Sequence, residues 1–330
     1  MPREHNMEVT SFKVSRGLTY SYIHLKPSVE SPKPYILFLH GFPSIAQEWH
    51  CQIEYFGNLG YGVIAPDLLG YGQTSRPLDP SLYRLKHMSQ DIVDILDHEG
   101  IDVVHGVGHD WGSALVSRLE YFFPRRVGKI ALLATGNFAL GAPFNLDAFN
   151  AMTQENLGYS LFGYIKFFTQ DPKAVELINS HKDSLMSIMY AKDPALWKEH
   201  FGPVDALKRW LERDQRAELG PWISDAYRVV RDEAFAKDGG YEAPLNWYRN
   251  LVSNSNLQDE PEESRETYKI ERPVLLLLAE NDAISLPSAQ LETTRRTALN
   301  LTVKQLQTGH WIMLEAANEV NSELESFFQD

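Results

Sequence analysis

Residues 107–115 read VGHDWGSAL, and the fold turns on them. They join an apolar run, DVVHGVGHD (102–110), to a run of helical period, WGSALVSRLEYFF (111–123). A strand that turns into a helix this abruptly brings backbone atoms close together, so Gly108 and Gly112 suit the turn by lacking a Cβ. Such a turn lifts its central side chain above the sheet and aims the first N–H groups of the helix at it. That side chain is Asp110. An Asp there could equally be a plain helix N-cap, so the rest of the chain has to decide its role.

Outward from this stretch, short apolar runs alternate with helical ones. PYILFLHG (34–41), GYGVIAPD (60–67) and RRVGKIALLATG (125–136) have the length and bounding glycines of buried strands. HMSQDIVDILDHEG (87–100) spaces Ile92, Ile95 and Leu96 helically and stops at Gly100. TSFKVSRGLTYSYIHL (10–25) predicts an opening antiparallel pair turning near Gly17. This alternation implies a mostly parallel sheet covered on both faces. It stops near residue 139. From there to about 250 the chain is helix-like and carries 17 of its 38 aromatic residues. After the polar NSNLQDEPEESRET (254–267), strands resume at ERPVLLLLAEND (271–282) and NLTVKQLQTGH (300–310), with a closing helix at EAANEVNSELESFFQ (315–329). The expected organisation is an α/β core of residues 1–138 and 251–330, interrupted by a helical cap of residues 139–250.

The bulk numbers narrow the partners. The 330 residues are 43% hydrophobic and 23% charged, which is ordinary globular composition. A net charge of −13 argues against nucleic acid or an anionic membrane as partner. A single cysteine, Cys51, permits no internal disulfide and no cysteine metal cluster. MPREHNMEVTSF at the N-terminus holds no apolar core of signal-peptide length, and no run approaches a membrane span. The expectation is a soluble cytoplasmic protein without stable membrane insertion, its oligomeric state left open.

Four strand ends carry reactive groups: HGFP (40–43), GHDWG (108–112), AEND (279–282) and TGHW (308–311). The carboxyl ends of parallel strands share one edge, so the four can meet. Asp110, Asp282 and His310 occur in the chain order nucleophile, acid, base of the α/β-hydrolase fold, with Asp in the place of Ser. His310 is the candidate base and Asp282 its orienting carboxylate, with Glu280 as a rival two positions earlier. The backbone N–H groups of Phe42 and Trp111 are candidates for an oxyanion hole. GVGHDW (106–111) begins like a dinucleotide loop, but Trp111 stands where the third glycine belongs. His105 and His109 lack the helix and the Glu of a zinc motif. GYSLFG (158–163) is one residue too long for a serine elbow. Neither cofactor nor metal is expected.

The Asp sets the chemistry. A carboxylate is ionised near pH 7 without help and can displace a leaving group from an sp³ carbon. The alkyl ester that results is opened at its carbonyl by base-activated water. A Ser attacking the same carbon would form an ether, which that water cannot open. The substrate therefore carries an electrophilic sp³ carbon, as in an epoxide or an alkyl halide.

Over essentially its whole length the chain resembles the soluble epoxide hydrolases of the α/β-hydrolase superfamily, of the microbial single-module type. The resemblance rests on HGFP, GHDWGS (108–113), FGYIKFFTQ (162–170), APLNWYRN (243–250), AEND and TGHW. It implies that two cap tyrosines, falling on Tyr164 and Tyr248, bind and protonate the epoxide oxygen, with Tyr159 and Tyr241 as the nearest rivals. It also implies a covalent ester on Asp110 hydrolysed by His310-activated water, with lipophilic epoxides as substrates and 1,2-diols as products. Phe42, Trp111 and Trp311 are the expected substrate contacts. Haloalkane dehalogenases look similar at the elbow. They generally place Asn or Glu at the position of Phe42 and lack the tyrosine pair. Fluoroacetate dehalogenases resemble the chain at HGFP but carry Arg where it has Trp111. An inactive hydrolase-fold binding protein is the remaining alternative.

Overall fold

The computed structural model describes residues 8–30, 32–237 and 239–329; residues 1–7, read above for a targeting segment, lie outside it. Eight strands pair into one sheet: β1 (Glu8–Lys13), β2 (Thr19–Leu25), β3 (Tyr35–Leu39), β4 (Gly62–Pro66), β5 (Val104–His109), β6 (Val127–Leu133), β7 (Ile270–Ala279) and β8 (Ala298–Leu306). Their spatial order is β1-β2-β4-β3-β5-β6-β7-β8. The β1–β2 and β2–β4 pairings are antiparallel, and all others are parallel. The first two strands form the expected opening pair, and Gly17 turns between them at φ +80°, where L side chains are strained.

The central strands are apolar on both faces because helices cover both. Ile36, Leu37, Phe38 and Leu39 of β3 are wholly buried, and Leu275, Leu276 and Leu277 of β7 nearly so. Each such side chain contributes roughly 1.5–3 kcal/mol by leaving water. Register then sets the site. Leu39 is level with Gly108, His109 with Leu133, Leu133 with Leu277, and Ala279 with Leu306. The loops that leave these strands therefore start from one edge.

Between β6 and β7 the chain is helical from Leu146–Leu157 through Ser264–Thr267. The helical run passes the expected boundary at 250, which falls inside the helix Asn246–Val252. In the helix Gly163–Gln170, Tyr164, Phe167 and Phe168 are buried at positions i, i+3 and i+4, one apolar stripe. The insert is tied to the core by polar contacts as well as by packing: the Trp247 indole N–H donates to the Leu69 carbonyl at 2.9 Å.

Candidate active site

Asp110 sits between β5 and the helix Trp111–Phe122 with φ 53° and ψ −120°. A non-glycine residue held there costs of order 1–3 kcal/mol, so the surroundings must hold it. They do so sterically. A Cβ on Gly112 would strike the Leu39 carbonyl oxygen, and one on Gly41 would overlap the Asp110 carboxylate. The side chain does not cap its helix in the ordinary way. Its Oδ1 instead accepts from the Phe42 N–H at 2.9 Å, and the Trp111 N–H also donates to the carboxylate. Both candidate oxyanion donors thus already face the carboxylate, with Phe42 on Oδ1. Burial pushes the Asp110 pKa up, while His310 and these N–H groups favour the charged form.

His310 faces the other oxygen. Its Nε2 lies 3.9 Å from Asp110 Oδ2, too far for a hydrogen bond. Its Nδ1 meets Asp282 Oδ2 at 2.6 Å. Asp282 Oδ1 accepts from the N–H groups of Ile284 and Ser285 at 2.8 and 2.9 Å, which fixes the carboxylate and, through it, the imidazole. Glu280, the rival, is exposed and bonded to Gln307. Burial lowers the His310 pKa, but Asp282, Asp110 and Glu48 outweigh it, and the net shift is upward.

Asp110, His310, Phe42, Trp111, Tyr164 and Tyr248 line one cavity of about 270 Å³. The rings of Tyr164 and Tyr248 are 5.9 Å apart, edge to face, and Tyr248 also packs on Phe42 and Trp111 at 5.2 and 5.3 Å. Burial and the charge of Asp110 hold both phenols well above pKa 10, so both stay protonated; Asp282 adds to this at Tyr164, as that phenol does at Tyr248. The rivals are engaged elsewhere. The Tyr159 hydroxyl donates to the Ala283 carbonyl at 2.8 Å, and the Tyr241 hydroxyl accepts from Arg231 at 2.8 Å. Trp311, expected to touch substrate, does not line this cavity. Its ring stacks on Tyr190 at 4.3 Å and its N–H donates to the Met189 carbonyl, which turns it away behind His310.

Several buried residues around the site escaped the sequence reading. His40, with its pKa lowered to about 4 by burial, donates from Nδ1 to the Gly41 carbonyl and accepts the Leu68 N–H at Nε2. The His109 ring meets the His310 carbonyl at 2.9 Å. Glu315 accepts the N–H groups on either side of the base, Gly309 at 2.7 Å and Trp311 at 3.1 Å. Glu48 is fully buried and bonded by Ser44, and the Tyr190 and Tyr227 hydroxyls donate to it at 3.3 Å. Burial raises its pKa to about 7. Each of these acts on backbone or through another side chain, so no motif spacing marks them. Among the described residues, no three His, Cys, Asp or Glu side chains gather as a metal site. Among them too, no helix is long and apolar enough to cross a membrane.

Residues 34–317 match the family model described as alpha/beta hydrolase fold. The chain belongs to that family. It is 29% identical to the epoxide hydrolase srdG of Neurospora crassa, over 98% of this chain and 97% of that one. It is 28% identical to epoxide hydrolase A of Mycobacterium tuberculosis, over 90% and 91%. Among solved structures, a variant of an epoxide hydrolase of Vigna radiata superposes with a TM-score of 0.79 at 25% identity, covering 98% of this chain and 99% of that one.

Proposed function

We propose that the protein is an epoxide hydrolase, converting lipophilic epoxides to 1,2-diols through an ester on Asp110. The observation that carries this reading is the sharing of one cavity by the Asp110 carboxylate and two protonated phenols. Asp110 Oδ2 is the free oxygen and attacks the epoxide carbon, while Tyr164 and Tyr248 donate to the oxygen that departs as an alkoxide. Oδ1 becomes the ester carbonyl oxygen without leaving the Phe42 N–H, with the Trp111 N–H beside it. When water then attacks, the N–H groups of Phe42 and Trp111 meet the developing negative charge, a contribution of roughly 3–4 kcal/mol for one oxyanion-hole donor in a serine protease. His310 Nε2 removes the proton from that water, and Asp282 stabilises the imidazolium. As the tetrahedral species collapses, the departing diol oxygen takes the proton from the imidazolium, and the proton left on the new carboxyl returns to the phenolate, which restores the Asp110 carboxylate, neutral His310 and both phenols. No step calls on a cofactor or a metal.

The helices between β6 and β7 form the cap in this reading, with residues 139–250 as its main body, because they supply Tyr164, Tyr248 and much of the aromatic wall. Position 42 separates the haloalkane alternative. A departing halide is held by side-chain N–H donors, and here that position offers only a phenyl ring packed against Phe168 and Tyr248. The names of the relatives agree with the epoxide reading. Offering a styrene-type epoxide and a haloalkane side by side tests it. Diol formation without halide release is expected. Halide release without diol would move the assignment to a dehalogenase, and no product from either would leave a binding protein.

A further inference from the structure

One wall of the cavity is polar although no step of the reaction uses it. It is built from Thr135 and Asn137 beyond β6, Ser285 beyond β7, and Gln290 and Thr293 of the helix Pro287–Thr297. The Thr135 and Ser285 hydroxyls share one hydrogen bond at 3.1 Å. The Gly136 N–H donates to Gln290 Oε1 at 2.9 Å, and Asn137 is fastened to the same helix through Thr294 and Thr297. These residues therefore form one contiguous, internally braced patch.

A count of hydrogens shows what the patch lacks. With Oε1 occupied by backbone, Gln290 is fixed in one amide orientation, and its two Nε2 hydrogens have no partner among the described residues. One hydroxyl hydrogen of the Thr135–Ser285 pair is likewise uncommitted. The Thr293 hydroxyl is spent on the Ala289 and Gln290 carbonyls. Against one buried acceptor without a partner, Asn137 Oδ1, the patch thus has three donor hydrogens to spare, which suit an acceptor on the ligand. Charge limits the acceptor. Among the described residues no Lys or Arg lines the cavity, where Asp110 and His310 are the ionisable groups besides the two phenols. A carboxylate on the substrate would enter beside Asp110 without a cation, at a cost that buried unpaired charge makes large. The rest of the lining, including Phe144, Phe149, Phe162, Trp197 and Phe201, is apolar.

We propose, on the basis of the epoxide-opening reading, that the substrate is an uncharged lipophilic epoxide bearing an ether or hydroxyl oxygen on its body, and that Gln290 Nε2 binds that oxygen. Gln290 is then a specificity residue, holding the substrate while Asp110 attacks elsewhere on it.

The test is a series of phenylalkyl epoxides in which each chain CH₂ is replaced in turn by an ether oxygen, with one analogue ending in a carboxylate. kcat/KM is read from diol formation by the full chain. At one ether position the wild type should prefer the ether over its carbon isostere about tenfold, equivalent to ~1.4 kcal/mol. Gln290→Leu should bring that ratio close to one. Gln290→Glu, which keeps an acceptor for the Gly136 N–H, should also abolish the preference and guards against a packing defect in the Leu variant. Because the readout is a ratio of two substrates on one preparation, a loss of folded enzyme cancels. The carboxylate analogue should be at least ~100-fold poorer than its neutral counterpart. No preferred ether position in the wild type, an undiminished preference in both variants, or a carboxylate analogue that matches the neutral one overturns the proposal. Turnover of none of the epoxides removes the reaction reading, and this inference with it.

Discussion

The loops at the strand ends and the helical insert build opposite sides of the same cavity by different physics. On the core side, position is set by hydrogen bonds to fixed backbone: Phe42 N–H to Asp110, Ile284 and Ser285 N–H to Asp282, Gly309 and Trp311 N–H to Glu315. On the insert side it is set by rings. Tyr164 stacks on Phe201 at 4.3 Å and meets Phe168 and Tyr248 edge to face. The core side is specified atom by atom, whereas the insert side is set by the packing of rings. Damage to the first should end the reaction, and damage to the second should slow or redirect it.

That contrast breaks most sharply at Asp110. Asp110→Ala should lower diol formation at least ~10⁴-fold, since the nucleophile and its unit act together; activity within tenfold of wild type would show that water attacks the epoxide directly. His310→Gln comes next. It should leave the first displacement running while the second stalls, and intact mass measurement should find the protein heavier by one substrate. On the insert side, replacing Tyr164 and Tyr248 together by Phe should slow epoxide opening by ~10²–10⁴, the range for a positioned proton donor, with each single change costing less. Stopped-flow alkylation reads this step, and an unchanged rate in the double variant would place the proton source elsewhere.

The smallest effect concerns pH and joins the two sides. His310 must be neutral to accept a proton, and its pKa is raised above 6.5, so diol formation should fall on the acid side as pH drops through that raised value. Glu48→Gln removes a carboxylate, itself only partly ionised in this range, whose negative charge helps hold it up. The acid limb should therefore move to lower pH. A purely structural Glu48 would lower the plateau and leave the limb where it is. Stability carries the same sign for the His310–Asp282 pair: its contribution is present below the ordinary His value and is lost as pH rises through the raised one.

The strand-end constellation was legible because its parts carry spacing. GHDWG announces a tight turn, and TGHW and AEND close apolar runs. The residues that brace it were not, since His40, Glu48 and Glu315 act on neighbouring backbone or side chains and could stand at several offsets. The helix Pro287–Thr297, sequence PSAQLETTRRT, has Leu291 as its one large apolar residue and so shows no hydrophobic period. It nevertheless supplies Gln290 and Thr293 to the cavity. Trp311, expected among the substrate contacts, follows His310 in the chain but does not line the cavity. Successive residues at the start of a helix point in different directions, and this one points into the packing beneath. Tyr164 could be separated from Tyr159 only in three dimensions, where the Tyr159 hydroxyl is already committed to a backbone carbonyl.

The grip of Phe42 on Asp110 Oδ1 makes the two carboxylate oxygens unequal, and that inequality leaves an isotopic record. In water labelled with ¹⁸O, the first diol should carry unlabelled oxygen from Oδ2, and the carboxylate should take its replacement from solvent. If Oδ1 stays in its donors through every cycle, Asp110 gains one heavy oxygen and stops there, however many turnovers follow. A second heavy atom would mean that the carboxylate rotates between cycles and that the N–H groups hold a place rather than a particular atom.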